Sequence, residues 1–193
     1  MTRSRLFCLL FAASLAGPAL ARAAWGPASA PAASAKSQSA PLASFAREAA
    51  TGGMSEVELG RLAVERGTDP AVKAFGQQMV DDHSKANVEL QTIAAQAGVT
   101  LPGQIDPKEK ATYAKLSALS GAAFDRAYID DMIKDHKADV AAFEKASRAP
   151  GDSPFKKFAA DKLPTLREHL KMAESARASL EKGATSGSGA GKR

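Results

Sequence analysis

One helix-length run does most to fix what this chain can become. Val72, Gly76, Met79, His83, Ala86, Leu90, Ile93 and Ala97 follow one another at spacings that alternate four and three. That spacing keeps every one of these side chains on a single stripe of an α-helix. Asp69-Pro70 before the run supplies an N-cap and a proline at the first helical position, and Gly98 after it supplies a stop. A helix with one long apolar stripe needs other helices to cover it, so the rest of the chain must provide them. The stripe also carries a histidine, at position 83, in phase with the apolar residues.

Three further stretches have the required pattern. The first runs from about Ser44 to Arg66, with Phe45, Ala49, Gly52, Glu56, Leu59 and Ala63 on one face. Gly52-Gly53 in its middle costs up to about 2 kcal/mol of helix propensity. It predicts either a break or the close approach of a neighbouring helix. The third long helix opens at Ser120-Gly121 and places Phe124, Tyr128, Met132, His136, Val140 and Phe143 inward. The fourth is capped by Ser153-Pro154 and carries Phe155, Phe158, Leu163, Leu166, Leu170, Ala173 and Leu180, with Pro164 expected to kink it ahead of His169. Between the second and third helices, Val99 to Leu119 forms a long connection. In it, Asp106-Pro107-Lys108-Glu109 reads as a capping box on a short helix. The predicted fold is all-α: a four-helix bundle with a short extra helix in the long connection between helices two and three.

Both ends of the chain are read as lying outside the bundle. Arg3 and Arg5, the apolar run Leu6 to Leu15, and the small residues Ala19, Ala21 and Ala23 together resemble a cleavable signal peptide over residues 1–23. The apolar run is short for a bilayer span, although a retained anchor is the competing reading. Residues 24–43 are expected to be a flexible Ala/Pro/Ser linker, residues 44–182 the bundle, and residues 183–193 a disordered Gly/Ser tail. Cleavage after Ala23 removes Arg3, Arg5 and Arg22 from the 26 basic residues, leaving 23 against 21 acidic ones. The mature chain is then near neutral, and the +5 charge of the whole sequence is no footprint of nucleic-acid binding. The one cysteine, Cys8, leaves with the leader, so no disulfide is expected. The mature chain is expected to have no transmembrane helix, to work in the periplasm or otherwise outside the cytoplasm, and to meet an envelope protein as one kind of partner.

The three histidines of the chain each follow an acid: Asp82-His83, Asp135-His136 and Glu168-His169. His83 lies about 15 residues, or roughly 23 Å, from the first turn, and His136 about 14 residues, or roughly 21 Å, from the turn near position 150. Both therefore reach the same depth whether the long connection reverses direction or crosses over. His169 and Glu56 fall within roughly one to two turns of that depth. Three imidazoles with one or more carboxylates in a bundle core can bind a divalent transition metal, so His83, His136, His169, Glu56 and Glu58 form the candidate metal set. Which of Glu56 and Glu58 points inward is open. Neighbouring residues on a helix point about 100° apart, so Asp82, Asp135 and Glu168 either serve a histidine of another helix or face water. The alternative is a non-catalytic structural or envelope-stress interaction module whose histidines form a hydrogen-bonded core layer that fixes helix register. Di-iron chemistry is disfavoured, because the Glu-x-x-His motif is absent: Val80, Ile133 and Leu166 stand three residues before the histidines. Nothing else in the sequence suggests an enzyme, and no catalysis is expected.

These residues carry a resemblance. Gly53-Met54-Ser55-Glu56-Val57-Glu58-Leu59-Gly60, Met79-Val80-Asp81-Asp82-His83, Gly121 to Tyr128, Met132-Ile133-Lys134-Asp135-His136 and Leu163 to Leu170 resemble the bacterial exported proteins catalogued as domain of unknown function 4142. The resemblance spans Phe45 to Ala176. It implies a ferritin-like bundle, usually behind a signal peptide, and no established reaction.

Overall fold

The computed structural model describes residues 32–188, with side chains from 40 to 183. The leader, Cys8, the start of the linker and the last residues of the tail, all discussed above, lie outside the described residues. Five helices follow in order: α1 (Ala32–Arg66), α2 (Pro70–Gln96), α3 (Pro107–Ser117), α4 (Gly121–Ser147) and α5 (Pro154–Ser188). There is no strand among the described residues.

The predicted starts of α2 and α3 hold at atomic detail. Asp69 accepts a hydrogen bond from the Ala71 amide at 2.7 Å, and Asp106 one from the Glu109 amide at 2.9 Å. Each satisfies an amide that the first helical turn leaves free. Gly98 after α2 adopts a φ of +67°, the left-handed stop that glycine takes without penalty.

Two boundaries differ from the sequence reading. α1 begins at Ala32, so much of the expected linker is helical. Residues 32–40 are mostly Ala, Ser, Lys and Gln, and alanine, lysine and glutamine are good helix formers. Pro41 lies inside this helix, and Leu42 just after it is buried against the same apolar cluster as Phe45 and Ala46. At the other end, α5 continues to Ser188, into the segment expected to be tail, and it runs unbroken through Pro164.

Packing follows two helical hairpins, α1 with α2 and α4 with α5, joined through contacts of α1 with α4 and of α2 with α5. Asp125, near the start of α4, shows how they are oriented. It is buried, and it accepts hydrogen bonds from the Thr68 amide (3.0 Å), the Asp69 amide (3.0 Å) and the Thr68 hydroxyl. The start of α4 therefore sits on the α1–α2 turn, and the long connection must cross the length of the bundle to reach it. This is the crossover topology, with α2 parallel to α4, and α3 on the crossover rests against α1 and α4.

Gly52-Gly53 does not break α1. Gly53 faces the Asn87 side chain of α2, and lower down Gly60 and Gly76 face one another across the same pair. A Cβ on Gly76 would lie 2.7 Å from the Ala63 Cβ and 2.8 Å from the Gly60 carbonyl oxygen. Small residues let these two backbones come closer than side chains would allow. The stripe on α2 is buried at Val72, Gly76, Met79, His83 and Leu90, but then shifts to Ala94, leaving Ala97 exposed. A straight helix of 3.6 residues per turn drifts out of a seven-residue repeat, and here the drift shows at the last two turns.

The core falls into two apolar clusters. One gathers Leu59, Phe75, Met79, Phe124, Tyr128 and Met132; the other gathers Phe45, Leu90, Phe143, Phe155, Phe158 and Leu166. On every long helix the residue between the two is polar and buried: Glu56 on α1, His83 on α2, His136 on α4 and His169 on α5.

Candidate metal centre

These four side chains make one layer across the bundle. Glu56 is 1% exposed, His83 7%, His136 0% and His169 2%. The three imidazole rings form a nearly equilateral triangle, with centroid separations of 5.8 Å (His83–His136), 5.3 Å (His83–His169) and 5.4 Å (His136–His169). One ring nitrogen of each lies within 4.8 Å of those of the other two. A point between three such nitrogens is at most about 2.8 Å from each, and imidazole–metal bonds are about 2.0–2.1 Å. Small ring movements would close that difference.

Each ring has one nitrogen held by the protein. His136 Nδ1 lies 3.0 Å from the Met132 carbonyl oxygen. A carbonyl can only accept, so Nδ1 carries the proton and Nε2 has a free lone pair. His169 Nε2 lies 3.0 Å from Asp82 Oδ2, which leaves Nδ1 free. His83 Nδ1 lies 2.7 Å from Glu56 Oε2, so Glu56 holds that nitrogen and Nε2 is the one left over. These three nitrogens, His83 Nε2, His136 Nε2 and His169 Nδ1, are buried with no hydrogen-bond partner. Glu56 Oε1 is in the same condition, 3.4 Å from His136 Nε2.

Electrostatics keep the rings neutral at physiological pH. Burial lowers the pKa of His136 to about 3, helped by the nearby rings of His83 and His169. Burial also lowers His83 and His169, the latter against the pull of Asp82. Neutral imidazole is the form that ligates metals. At Asp82, partial burial opposes the charge, but hydrogen bonds from Gln78 and His169 outweigh it and hold the carboxyl below its ordinary range. Burial pushes the Glu56 carboxyl well above the usual carboxylate range, and the negative charge of Asp135 adds to the effect.

The structure separates the predicted site residues. His83, His136, His169 and Glu56 meet. Glu58 does not: it is exposed on the outside of α1. Residues two positions apart on a helix point about 200° from one another, so only one of the pair can face the core. Of the acids that precede the histidines, Asp82 serves a histidine of another helix, Glu168 is exposed, and Asp135 turns toward Glu56. Asp139 was not singled out from the sequence, yet it joins Glu56 and Asp135. Its signal was its position three residues after His136, which puts it on the same side of α4. A cavity of about 150 Å³, bordered by Gly53, Asp82, His83, Asn87, Lys162 and His169, leads from the surface to the layer.

Comparison with known proteins gives the fold a context. The crystal structure of a DUF305 fragment from Deinococcus radiodurans superposes with a TM-score of 0.64 at 16% identity, covering 72% of this chain and 96% of that one. That of a DUF305 protein from Streptomyces coelicolor, described there as a candidate secreted protein, gives 0.62 at 15% identity, covering 73% and 94%. At these identities the likeness shows the fold alone. No curated protein matches the sequence. The profile described as domain of unknown function (DUF4142) matches residues 27–176, and the chain belongs to that family.

Proposed function

We propose that the chain is an exported bundle protein that binds one divalent transition-metal ion on His83, His136 and His169. The observation that supports this is the division of labour in each ring. One nitrogen is tied to a carboxylate or carbonyl oxygen and the other is buried with no partner, and one nitrogen of each ring lies within 4.8 Å of those of the other two. Metal-bound histidines are held in this way: the outer hydrogen bond fixes the tautomer and the ring orientation. Glu56 and Asp82 are the outer carboxylates here. An all-imidazole set without thiolate suits Zn²⁺, Cu²⁺ or Ni²⁺. With three protein ligands, a fourth position remains for water, on the side of the cavity that reaches His83 and His169. The proposed role is binding, and no reaction is assigned to the layer. Export rests on the leader pattern of residues 1–23 and on the description of the Streptomyces relative.

The structural-layer reading draws on the 2.7 Å contact between His83 and Glu56, which alone would pin α1 to α2. Against it stand His83 Nε2 and His169 Nδ1, buried ring nitrogens without partners. A layer kept only to satisfy its own polar groups would leave none, since each costs about 1–3 kcal/mol. Calorimetric titration of metal-stripped protein with Zn²⁺ separates the two. One ion per chain, with binding lost in His136→Ala, is the expected result. Absence of binding in the wild type, with His136→Ala changing only stability, would favour the structural layer.

A further inference from the structure

We propose that a metal ion on the histidine layer takes its fourth ligand from outside the chain, a neutral single-ring nitrogen heterocycle of the azole class, seated in the cavity beside His83 and His169. The inference rests on the metal reading above and adds the ligand to it.

The layer is open on one side only. On the other side, Met79 and Met132 stand one turn before His83 and His136, both fully buried, and the Phe75 ring lies 6.3 Å from that of His136. These side chains belong to the apolar cluster that closes this face. On the open side, His83 and His169 border the cavity. His83 Nε2 and His169 Nδ1 are buried and without partners. A fourth ligand therefore reaches the layer through the cavity.

Size and lining select a single ring. The cavity measures about 150 Å³. An apolar cavity of about that volume accommodates one benzene molecule. Leu90, Phe143, Phe158 and Leu166 supply apolar wall, and the rings of Phe143 and Phe158 lie 6.1 Å apart, tilted by 45°. Aromatic rings pack well on such walls, at centroid separations of about 4.5–7 Å. A fused bicycle is too large for the space.

Charge selects a neutral donor. The ion itself attracts anions, but the carboxyl groups of Glu56, Asp82 and Asp139 border the same cavity and oppose that attraction. The two lysines of the wall are already engaged, Lys162 with Glu89 and Lys85 with Asp82 at 3.8 Å. Lys162 also lies over the Phe158 ring, 5.7 Å from its centroid. An incoming anion thus meets carboxyl groups and apolar wall, where burying a charge is costly. A ring nitrogen avoids that cost and suits the same borderline ions as the three histidines.

Co²⁺ in place of Zn²⁺ makes the coordination visible, because its d–d absorption changes with the fourth ligand. Titration of the Co²⁺-loaded chain with imidazole should shift these bands to saturation at one imidazole per ion. Azide and benzimidazole should each bind at least about tenfold more weakly. Ala86→Leu fills the cavity from α2 without replacing a histidine, and should keep Co²⁺ while weakening imidazole at least about tenfold. The proposal is overturned if imidazole leaves the bands unchanged, if azide or benzimidazole binds as well as imidazole, or if Co²⁺-loaded Ala86→Leu binds imidazole undiminished. The ligand comparisons use the wild type alone, so misfolding of Ala86→Leu would not spare the proposal. Failure of Co²⁺ to bind would sink the metal reading and the ligand with it, whereas Co²⁺ held by the histidines with no response to imidazole would sink the ligand alone.

Discussion

The close contact of α1 with α2 makes a prediction that runs against helix propensity. Replacing a helical glycine by alanine ordinarily stabilises a helix by about 1 kcal/mol. Gly52 should behave so: its added Cβ meets nothing within 4 Å, and Gly52→Ala is expected to gain about 0.5–1 kcal/mol. Gly76→Ala should do the opposite. Its Cβ would stand 2.7 Å from the Ala63 Cβ and 2.8 Å from the Gly60 carbonyl oxygen, where ordinary contact begins at 3.4 Å. A carbonyl oxygen of the facing backbone cannot rotate away, so α1 and α2 must separate by roughly 0.7 Å or distort. Overpacking costs about 1–3 kcal/mol, and two contacts under 3 Å, one of them to fixed backbone, put this site near the upper end, about 2–3 kcal/mol, so a net loss of about 1–2 kcal/mol remains after the propensity gain. The two variants should therefore differ by about 2–3 kcal/mol in urea unfolding followed at the helical circular dichroism band. In a domain of this size that is a separation of about 4–10 °C in Tm. Separating the helices also stretches the 2.7 Å contact between Glu56 and His83, so metal affinity should fall in Gly76→Ala and not in Gly52→Ala. If Gly76→Ala proves as stable as the wild type or more so, the close approach argued here is wrong.

Three other outcomes can be checked with the same preparations. Asp125→Ala removes the acceptor of three hydrogen bonds from the α1–α2 turn and should cost about 2–4 kcal/mol, a fall of about 5–15 °C in Tm by calorimetry. Asp82→Asn keeps shape but loses the charge that orients His169, and should weaken Zn²⁺ binding about 10–100-fold by titration without unfolding the apo protein. Burial and the charges of Glu109 and Asp131 push the Asp135 carboxyl up to about 6, so the folded apo protein holds that proton more tightly than the unfolded chain does. The penalty is full above the folded value and vanishes below the ordinary one. Asp135→Asn should accordingly stabilise apo protein at pH 7, by at most about 3 kcal/mol, with the gain fading as pH falls from 6 toward 4; a gain constant across that window would refute the assignment.

Local rules went far with this chain because most of its elements are locally determined. The alternating spacing on α2, the Asp-Pro starts and the Gly98 stop each act within one helix, and the structure reproduces them. The beginning of α1 was not legible because Ala, Ser and Pro serve a tether as readily as a helix. The tie lies in the burial of Leu42 against a cluster that includes Phe143 and Phe158, far along the chain. Topology was hidden for a related reason. His83 and His136 sit near mid-helix, so either direction of the long connection brings them level. The residue that marks the crossover is Asp125, whose partners lie 56 and 57 positions away.

The paired acids and histidines follow from the same geometry. A side chain next to an inward-pointing histidine is turned by about 100°, which on a bundle helix aims it at a neighbouring helix rather than at the axis. Asp82 thereby reaches His169 on α5, and Asp135 reaches Glu56 on α1. Glu168 is turned by the same angle, but its position on α5 leaves it exposed. The dipeptide therefore does not encode a pair that works together. It encodes one residue for the layer on the axis and one for the seam beside it. Asp139 is not legible in the sequence for the same reason: its relation to Glu56 is across a seam, and it stands three residues after His136, whereas the Glu-x-x-His pattern places a ligand three residues before. The imidazoles are the part of the site that sequence periodicity can place. The carboxylates that orient them, and the acid cluster that shares Glu56, depend on which helices become neighbours.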